Sequence, residues 1–222
     1  EAYQKVSSNG KPFLSAVIAD KTGTIDVKVW DYSGPVGAQE DIGRIIKIRG
    51  DVSEFKGSPQ LSLSHVRMAL PEDNCDTSRL VAVAPIDRDQ TLEDVRAGIA
   101  SMDDPDYRRV AQTMLDRHLE AFRSIPAAKS VHHSFLSGLL MHTGNMLKLA
   151  DFLAGLYPQI IDRNLLLTGT LLHDFAKESE FRFSDLGIVT DYSLKGQLLG
   201  HLVMGAQEVA EVCRELGTPE EK

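Results

Sequence analysis

Four residues constrain the chain more than any other feature: His142, the adjacent pair His173 and Asp174, and His201, each set in an apolar segment with helical spacing. Three helices carrying imidazole and carboxylate groups can bring them to one point inside a bundle. Phe135, Leu139, His142, Met146, Leu149 and Leu153 follow a four-three spacing, which predicts a helix from about His133 to Leu156 with His142 on its buried stripe. The run from Asn164 to Asp174 is also helical in pattern, with Asp162 or Asn164 as N-cap and the His-Asp pair near its C-terminal end. A third helix follows Ser193, with Leu194, Leu198, His201, Gly205 and Val209 on or near one face and Gly217 and Pro219 as its stop. Gly196, Gly200 and Gly205 leave little bulk beside His201, at about 1 kcal/mol each in a helix interior, so a packing reason is expected. Four polar residues inside apolar helices are expensive without a shared purpose, and holding a metal ion is the purpose that fits. Buried histidines satisfied by backbone carbonyls are the alternative.

The rest of the chain reads as support or substrate handling. Its 222 residues suffice for one large or two modest domains. No apolar run is long enough to span a bilayer and the N-terminus lacks the marks of a secretory leader, so a cytoplasmic protein with no membrane partner is expected. Cys75 and Cys213 are far apart and form no C-x-x-C pattern, which argues against a disulfide framework or a cysteine zinc site. The formal net charge of −8 argues against indiscriminate coating of nucleic acid. Lys plus Arg against Asp plus Glu count 9 to 8 in residues 1–70, 8 to 12 in 71–130 and 7 to 12 in 131–222, so only the N-terminal third has no acidic excess.

That third is patterned as short strands. Asn9-Gly10 marks a hairpin, Lys21-Thr22-Gly23 a second turn, and Ile25, Val27 and Val29 alternate with Asp26, Lys28 and Trp30. A further pair runs from Arg44 to Val52 and from Gln60 to Val66 around a turn at Lys56-Gly57-Ser-Pro59. Some five strands in 70 residues suggest a small barrel. The segments Gly10-Lys-Pro-Phe-Leu, Ala19-Asp-Lys-Thr-Gly-Thr-Ile, Val29-Trp-Asp, Gly50-Asp-Val, Phe55-Lys-Gly and Gln60-Leu-Ser-Leu resemble OB-fold domains that bind single-stranded nucleic acid. The resemblance implies an exposed face on which Phe13, Trp30 and Phe55 stack bases, with Tyr32 a further aromatic candidate, while Lys28, Arg49 and Lys56 meet phosphates. Packing of the hairpins is the alternative role for those aromatics.

Residues 71–125 read as a polar linker and connecting helices, one opened by Thr91-Leu-Glu-Asp and one by Asp104-Pro105. His118, beside the apolar stripe of the second, is expected to be a surface or packing histidine and not a ligand. From residue 126 onward the sequences His132-His-Ser-Phe-Leu-Ser-Gly-Leu-Leu-Met-His142, Leu171-Leu-His173-Asp174-Phe-Ala-Lys177-Glu and Gly196-Gln-Leu-Leu-Gly-His201 resemble the HD metal-dependent phosphohydrolases. Together with an N-terminal OB-fold the pattern resembles YhaM-type 3′-to-5′ exoribonucleases. The expected architecture is therefore a multidomain α and β chain: an OB-type barrel (1–70), a linker (71–125) and an all-α HD-type domain (126–222).

The resemblance implies metal ligation by His142, His173, Asp174 and His201, with one or two divalent ions, Mn²⁺ favoured because imidazole with carboxylate suits the transition metals. Asp174 can bridge to a second ion partly held by His201, Lys177 can hold a substrate phosphate one turn later, and His133, with its neighbour His132, binds phosphate, acts as an acid or simply caps the helix entrance. Asp191 and Lys195 are substrate-contact candidates or solvated helix-end charges. The implied substrate is single-stranded RNA or DNA; a homo-oligomer is compatible with the sequence. Two other readings are a phosphohydrolase acting on a small nucleotide and a nucleic-acid-binding module with an inactive helical domain. The family pattern continues past His201 to further ligands. A chain that starts at Glu1 and stops at Lys222 is thus expected to be cut at both ends, weakly active or inactive, and to expose an apolar face on the helix of His201.

Overall fold

The computed structural model describes residues 2–129 and 133–219. They divide into two compact units, one of residues 1–82 with 184–186, the other of the remainder.

In the first unit, strands β1 (Ala2–Val6), β2 (Pro12–Asp20), β3 (Gly23–Trp30), β4 (Ile46–Phe55) and β5 (Ser58–Met68) form one sheet in the order β1-β2-β3-β5-β4. All pairings are antiparallel except β3 with β5. The period-two pattern of β3 does what such a pattern dictates: Val27 and Val29 are buried with Leu14 and Leu63, while Asp26 and Trp30 face out. Lys56 and Gly57 turn β4 into β5 with φ of 53° and 82°, the left-handed pair that a tight hairpin needs. Pro59 lies within β5 and not in the turn. At Gly50 a bulge shifts the register, and a Cβ there would stand 2.3 Å from Ser62 O, so the strands can approach only at glycine. Among the described residues no ladder joins β1 to β4; the architecture is mixed α and β with a five-stranded sheet.

The second unit holds α1 (Arg88–Ala100), α2 (Pro105–Ser124), α3 (Gly138–Leu156), α4 (Arg163–Leu172), α5 (Lys177–Glu180), the hairpin β6 (Phe181–Phe183) and β7 (Val189–Tyr192), and α6 (Leu194–Leu216). It is therefore not all-α. Asp87, Asp104, Asp162 and Ser193 cap α1, α2, α4 and α6 by accepting from backbone amides in the first turn of each helix. α1 starts before Thr91 because Asp87 takes the cap and the Thr91 hydroxyl donates back to Asp87 O. Leu115, Phe122, Leu140, Leu171 and Phe175 centre one core shared by α1–α4 and α6.

Two expected helices differ from their patterns. α3 begins at Gly138, not near 133, because the amides of Ser137 and Leu139 bond to Ser124 O and Ile125 O at the end of α2, and Ser137 is left-handed. Its buried stripe is Leu140, Thr143, Leu147, Ala150 and Ala154, whereas Met146, Leu149 and Phe152 are exposed. A helix apolar on most sides gives spacing little power to choose the inward face. α6 breaks at Gly200 (φ 72°, ψ 159°), so Leu194 and Leu198, on the near side of the break, are exposed. Leu202 and Val203 are exposed too, giving the apolar surface expected on this helix.

Burial predicts the stability response. Leu115 is fully buried, and Leu115→Ala should cost about 2–5 kcal/mol. Phe152, 65% exposed, should change stability by less than about 0.5 kcal/mol on truncation to Ala. Urea unfolding followed by helical circular dichroism measures both.

Candidate metal centre and nucleic-acid-facing surface

Asp174 follows directly on the C-cap of α4, where the last apolar turn, anchored by Leu171 and Leu172, carries its carboxylate inward until only 3% of the side chain is exposed. Three imidazoles reach it through Nε2. His173 lies 3.1 Å from Oδ2, His142 of α3 lies 3.6 Å from Oδ2, and His201 of α6 lies 3.4 Å from Oδ1. Lys177, one turn on, donates to Oδ2 at 2.8 Å. Ligand atoms of His142, His173 and Asp174 all lie within 4.8 Å of one another, close enough for one ion.

The far nitrogens decide what the near ones can do. His173 Nδ1 is 2.8 Å from Thr170 O, a group that can only accept, so Nδ1 carries a proton, and Nε2 faces Asp174 with a second proton when the ring is charged and with its lone pair when the ring is neutral. His201 Nδ1 lies 2.9 and 3.0 Å from the two oxygens of Glu180, which orients Nε2 in the same way. Two lone pairs aimed at a carboxylate repel it unless a proton or a cation stands between. The donor set and its locked tautomers therefore fit a divalent metal ion.

Glu180 gave no sequence signal. Its side chain is 8% exposed, and besides His201 Nδ1 it takes the His201 amide at 3.0 Å. That amide is free of the helix ladder because Gly200 breaks it, so the kink and the carboxylate together aim the ring. A Cβ at Gly196 would meet Glu180 O at 2.3 Å, which explains one of the three glycines.

The charges follow the geometry. Burial pushes the Asp174 carboxyl up, but hydrogen bonds from His173 and Lys177 outweigh it and lower it to about 2. The bond to Asp174 raises His173 above the usual imidazole range against its burial. His142 moves the other way, because burial outweighs the pull of Asp174.

His133 is half-buried at the edge of this cluster, its ring 5.6 Å from that of His142 and its carbonyl held by the amide of Ala127. His132 lies outside the described residues. His118 stands apart: it is buried against Phe175, with Nδ1 2.9 Å from Glu178 and Nε2 2.8 Å from Glu208. Asp191 pairs with Lys129 at 3.3 Å. His173 also borders a cleft of about 320 Å³ lined mainly by apolar residues such as Val110, Leu165, Leu172 and Val209. That lining offers little to hold a phosphate, so the polar cluster around Asp174 is the candidate site.

On the sheet, the nucleic-acid candidates separate into three places. Phe13 and Trp30 are register partners with ring centroids 5.0 Å apart, and Lys28 stands over Phe13 at 5.7 Å while bonding Ser15. Register puts Tyr3 and Lys5 of β1 on this same face, two residues that sequence reasoning passed over. Trp30 is 56% exposed. Phe55 and Lys56 pair at the β4–β5 turn, 5.4 Å from ring to ammonium. Arg49 lies elsewhere on β4, opposite His65. Tyr32 packs on the small core, and its hydroxyl accepts from the Val36 amide at 2.9 Å.

The signs give a pH prediction for the metal-free chain. Asp174, depressed in the fold, contributes stability above its unfolded value near roughly 3.9, lost as pH falls toward about 2. His173, raised in the fold, contributes stability below roughly 6.5, lost as pH rises through its folded value. His142, lowered in the fold, opposes the His173 limb, so the clear expectation is on the acid side: urea midpoints should fall from pH 5 to pH 3, and Asp174→Asn should flatten that fall.

No family model and no solved structure matches the chain. Among curated proteins it is 35% identical over 210 residues to the 3'-5' exoribonuclease YhaM of Listeria innocua serovar 6a (strain ATCC BAA-680 / CLIP 11262). The match covers 95% of this chain and 66% of the relative, so the chain spans just under two thirds of that protein's length. No helix among the described residues is long and apolar enough to cross a membrane. With that identity carried through nearly all of the chain, strands and helices alike, the chain belongs to the YhaM-type exoribonuclease family.

Proposed function

We propose that the chain carries the working parts of a metal-dependent 3′-to-5′ exoribonuclease acting on single-stranded RNA. The observation that carries this reading is the convergence of three Nε2 atoms on one buried carboxylate, with two of the rings locked from behind. A relative named as a 3'-5' exoribonuclease supports the reaction class.

His142, His173, Asp174 and His201 would hold the ion, Mn²⁺ being favoured by the mix of imidazole and carboxylate. When bound, such an ion supplies a water of lowered pKa and neutralises charge on the phosphoryl oxygens. The chain's own groups do the rest. Lys177 keeps Asp174 ionised, and once the carboxylate is engaged elsewhere its ammonium is free to meet a non-bridging phosphate oxygen. His133, at the rim, is placed to touch phosphate or to give a proton to a leaving oxygen. Glu180 holds the His201 ring in its working tautomer.

The five-stranded sheet suits an OB-type module, an architecture known as a partly open Greek-key barrel. In that reading the β2–β3 face offers Phe13 and Trp30 for stacking and Lys28 for the backbone, with Phe55 and Lys56 as a second contact at the hairpin tip. Residues 1–70 would then hold the strand, 71–125 connect, and 126–222 cut. Sequence-tolerant stacking suits an enzyme that must move along any strand.

Calorimetric titration of Mn²⁺ tests the centre: Asp174→Ala should abolish binding, and Glu180→Ala should weaken it about 10- to 100-fold, the usual loss when a group supporting a ligand is removed. Binding should also release protons and weaken below roughly pH 6.5, because ligation requires neutral imidazole. Gel analysis of 5′-labelled single-stranded RNA, on this chain and on one extended to the relative's length, tests the reaction. Shortening from the 3′ end that requires Mn²⁺ and is lost in Asp174→Ala is expected; metal-independent cleavage, or no cleavage by either chain, overturns the proposal. On the sheet, Trp30→Ala should lower single-stranded RNA affinity about tenfold, from about 1–3 kcal/mol per stacked base, without changing hydrolysis of a small phosphodiester.

A further inference from the structure

The β4–β5 hairpin carries a second concentration of cations that the stacking face does not use. Lys47 stands opposite Arg67 in the ladder, and Arg49 opposite His65. Directly opposed residues project to one side of a sheet. Val66, between His65 and Arg67, packs on the small core, so the four cationic or titratable groups share the side facing away from it. They line a cleft of about 390 Å³ together with Ile48 and Ser64.

Two of the four are already fixed. Asp73, with 6% of its side chain exposed, accepts from Lys47 at 2.6 Å, from both terminal nitrogens of Arg67 at 2.8 and 2.9 Å, and from the Leu70 amide at 2.8 Å. These bonds hold its carboxyl far below the usual range, so it stays charged and acts as a strut. Lys47 and Arg67 are thereby pinned at the cleft, and one of the three Lys and Arg charges is cancelled. The Arg49 guanidinium and the His65 ring are uncommitted: among the described residues neither side chain has a hydrogen bond or an ion pair. A pinned pair beside a free guanidinium fork and a free imidazole is a receptor for a tetrahedral dianion or a phosphodiester.

We propose that this cleft binds a backbone phosphate of the single strand, with Arg49 and His65 as the direct donors and Lys47 and Arg67 as the fixed field behind them. The proposal rests on the nucleic-acid reading of the sheet, and it adds a phosphate anchor on β4–β5 to the stacking platform on β2–β3. A phosphate anchor fixes the register of the strand without reading its bases, which is what a sequence-tolerant exonuclease requires. An acidic peptide is the competing ligand, and the test separates the two.

Binding of a fluorescent 20-nucleotide oligouridylate to the full chain is measured across a KCl series, with polyglutamate as a second probe. For Arg49→Gln/His65→Gln, the slope of log affinity against log salt should fall by about 0.7 for each phosphate no longer neutralised, with roughly tenfold weaker binding at low salt. Trp30→Ala should weaken binding with the slope unchanged, since stacking releases no counterions. Both altered residues are exposed, and an unchanged circular dichroism spectrum confirms folding. An unaltered slope and affinity in the double variant, while Trp30→Ala still weakens binding, would overturn the phosphate cleft and leave the stacking face standing. Loss of polyglutamate binding with RNA binding intact would overturn it in favour of an acidic peptide. No salt-dependent binding of oligouridylate by the unaltered chain would remove both the cleft and the wider reading.

Discussion

The helical unit is organised around the desolvated carboxylate of Asp174. A buried carboxylate without partners would be protonated or would unfold its surroundings, so each neighbouring element has to deliver a compensating group. α3 delivers His142, α4 and its cap deliver His173, α5 delivers Lys177, and the second half of α6 delivers His201. Two of these partners, His142 and His201, come from segments distant in the chain. Packing errors in any of these helices would therefore register at the same point, which makes the cluster a constraint on the fold as well as a candidate site.

Several local features become intelligible only from that point. Gly200 interrupts α6, exposing the His201 amide to Glu180, whose carboxylate also holds Nδ1 of the same ring. Gly196 lets α6 close on the backbone of Glu180. His118 performs a parallel task on the outer side of α5. With carboxylates of Glu178 and Glu208 at its two nitrogens and Phe175 beneath its ring, it ties α2 to α5 and α6. Its buried, doubly paired position agrees with a packing role and keeps it apart from the cluster around Asp174.

The sheet unit spends its charges differently. On β2–β3, a lysine stands over an aromatic ring and an exposed tryptophan packs beside it, a combination suited to flat, charged ligands. On β4–β5, one carboxylate pins two of the cations, and with Arg49 and His65 they line a cleft. An acidic chain of net charge −8 can engage a polyanion only by such local concentration. The near balance of charge in residues 1–70 was the global sign of it.

Sequence alone determined the strands of the N-terminal sheet, their hairpin turns and several helix caps, because turn chemistry and capping are local properties, and it singled out His142, His173, Asp174 and His201, which the fold brings together. It determined less about direction. α3 is apolar around most of its circumference, so its spacing pointed Met146 and Leu149 inward together with Leu139 and His142; only the latter two turn inward, and the buried stripe runs on through Leu140, Thr143 and Leu147. Only the packed fold could make that choice, since it depends on which neighbour each side meets. The early start expected for α3 failed for a related reason: the amides of Ser137 and Leu139 had better partners at the end of α2 than in a helix of their own. Glu180 and, on β4–β5, the partners of Arg49 (Lys47, His65 and Arg67) left no trace in the sequence. Glu180 acts through His201, 21 residues on, and the β4–β5 groups act across a ladder, and such pairings exist only after register, kink and burial have been fixed together.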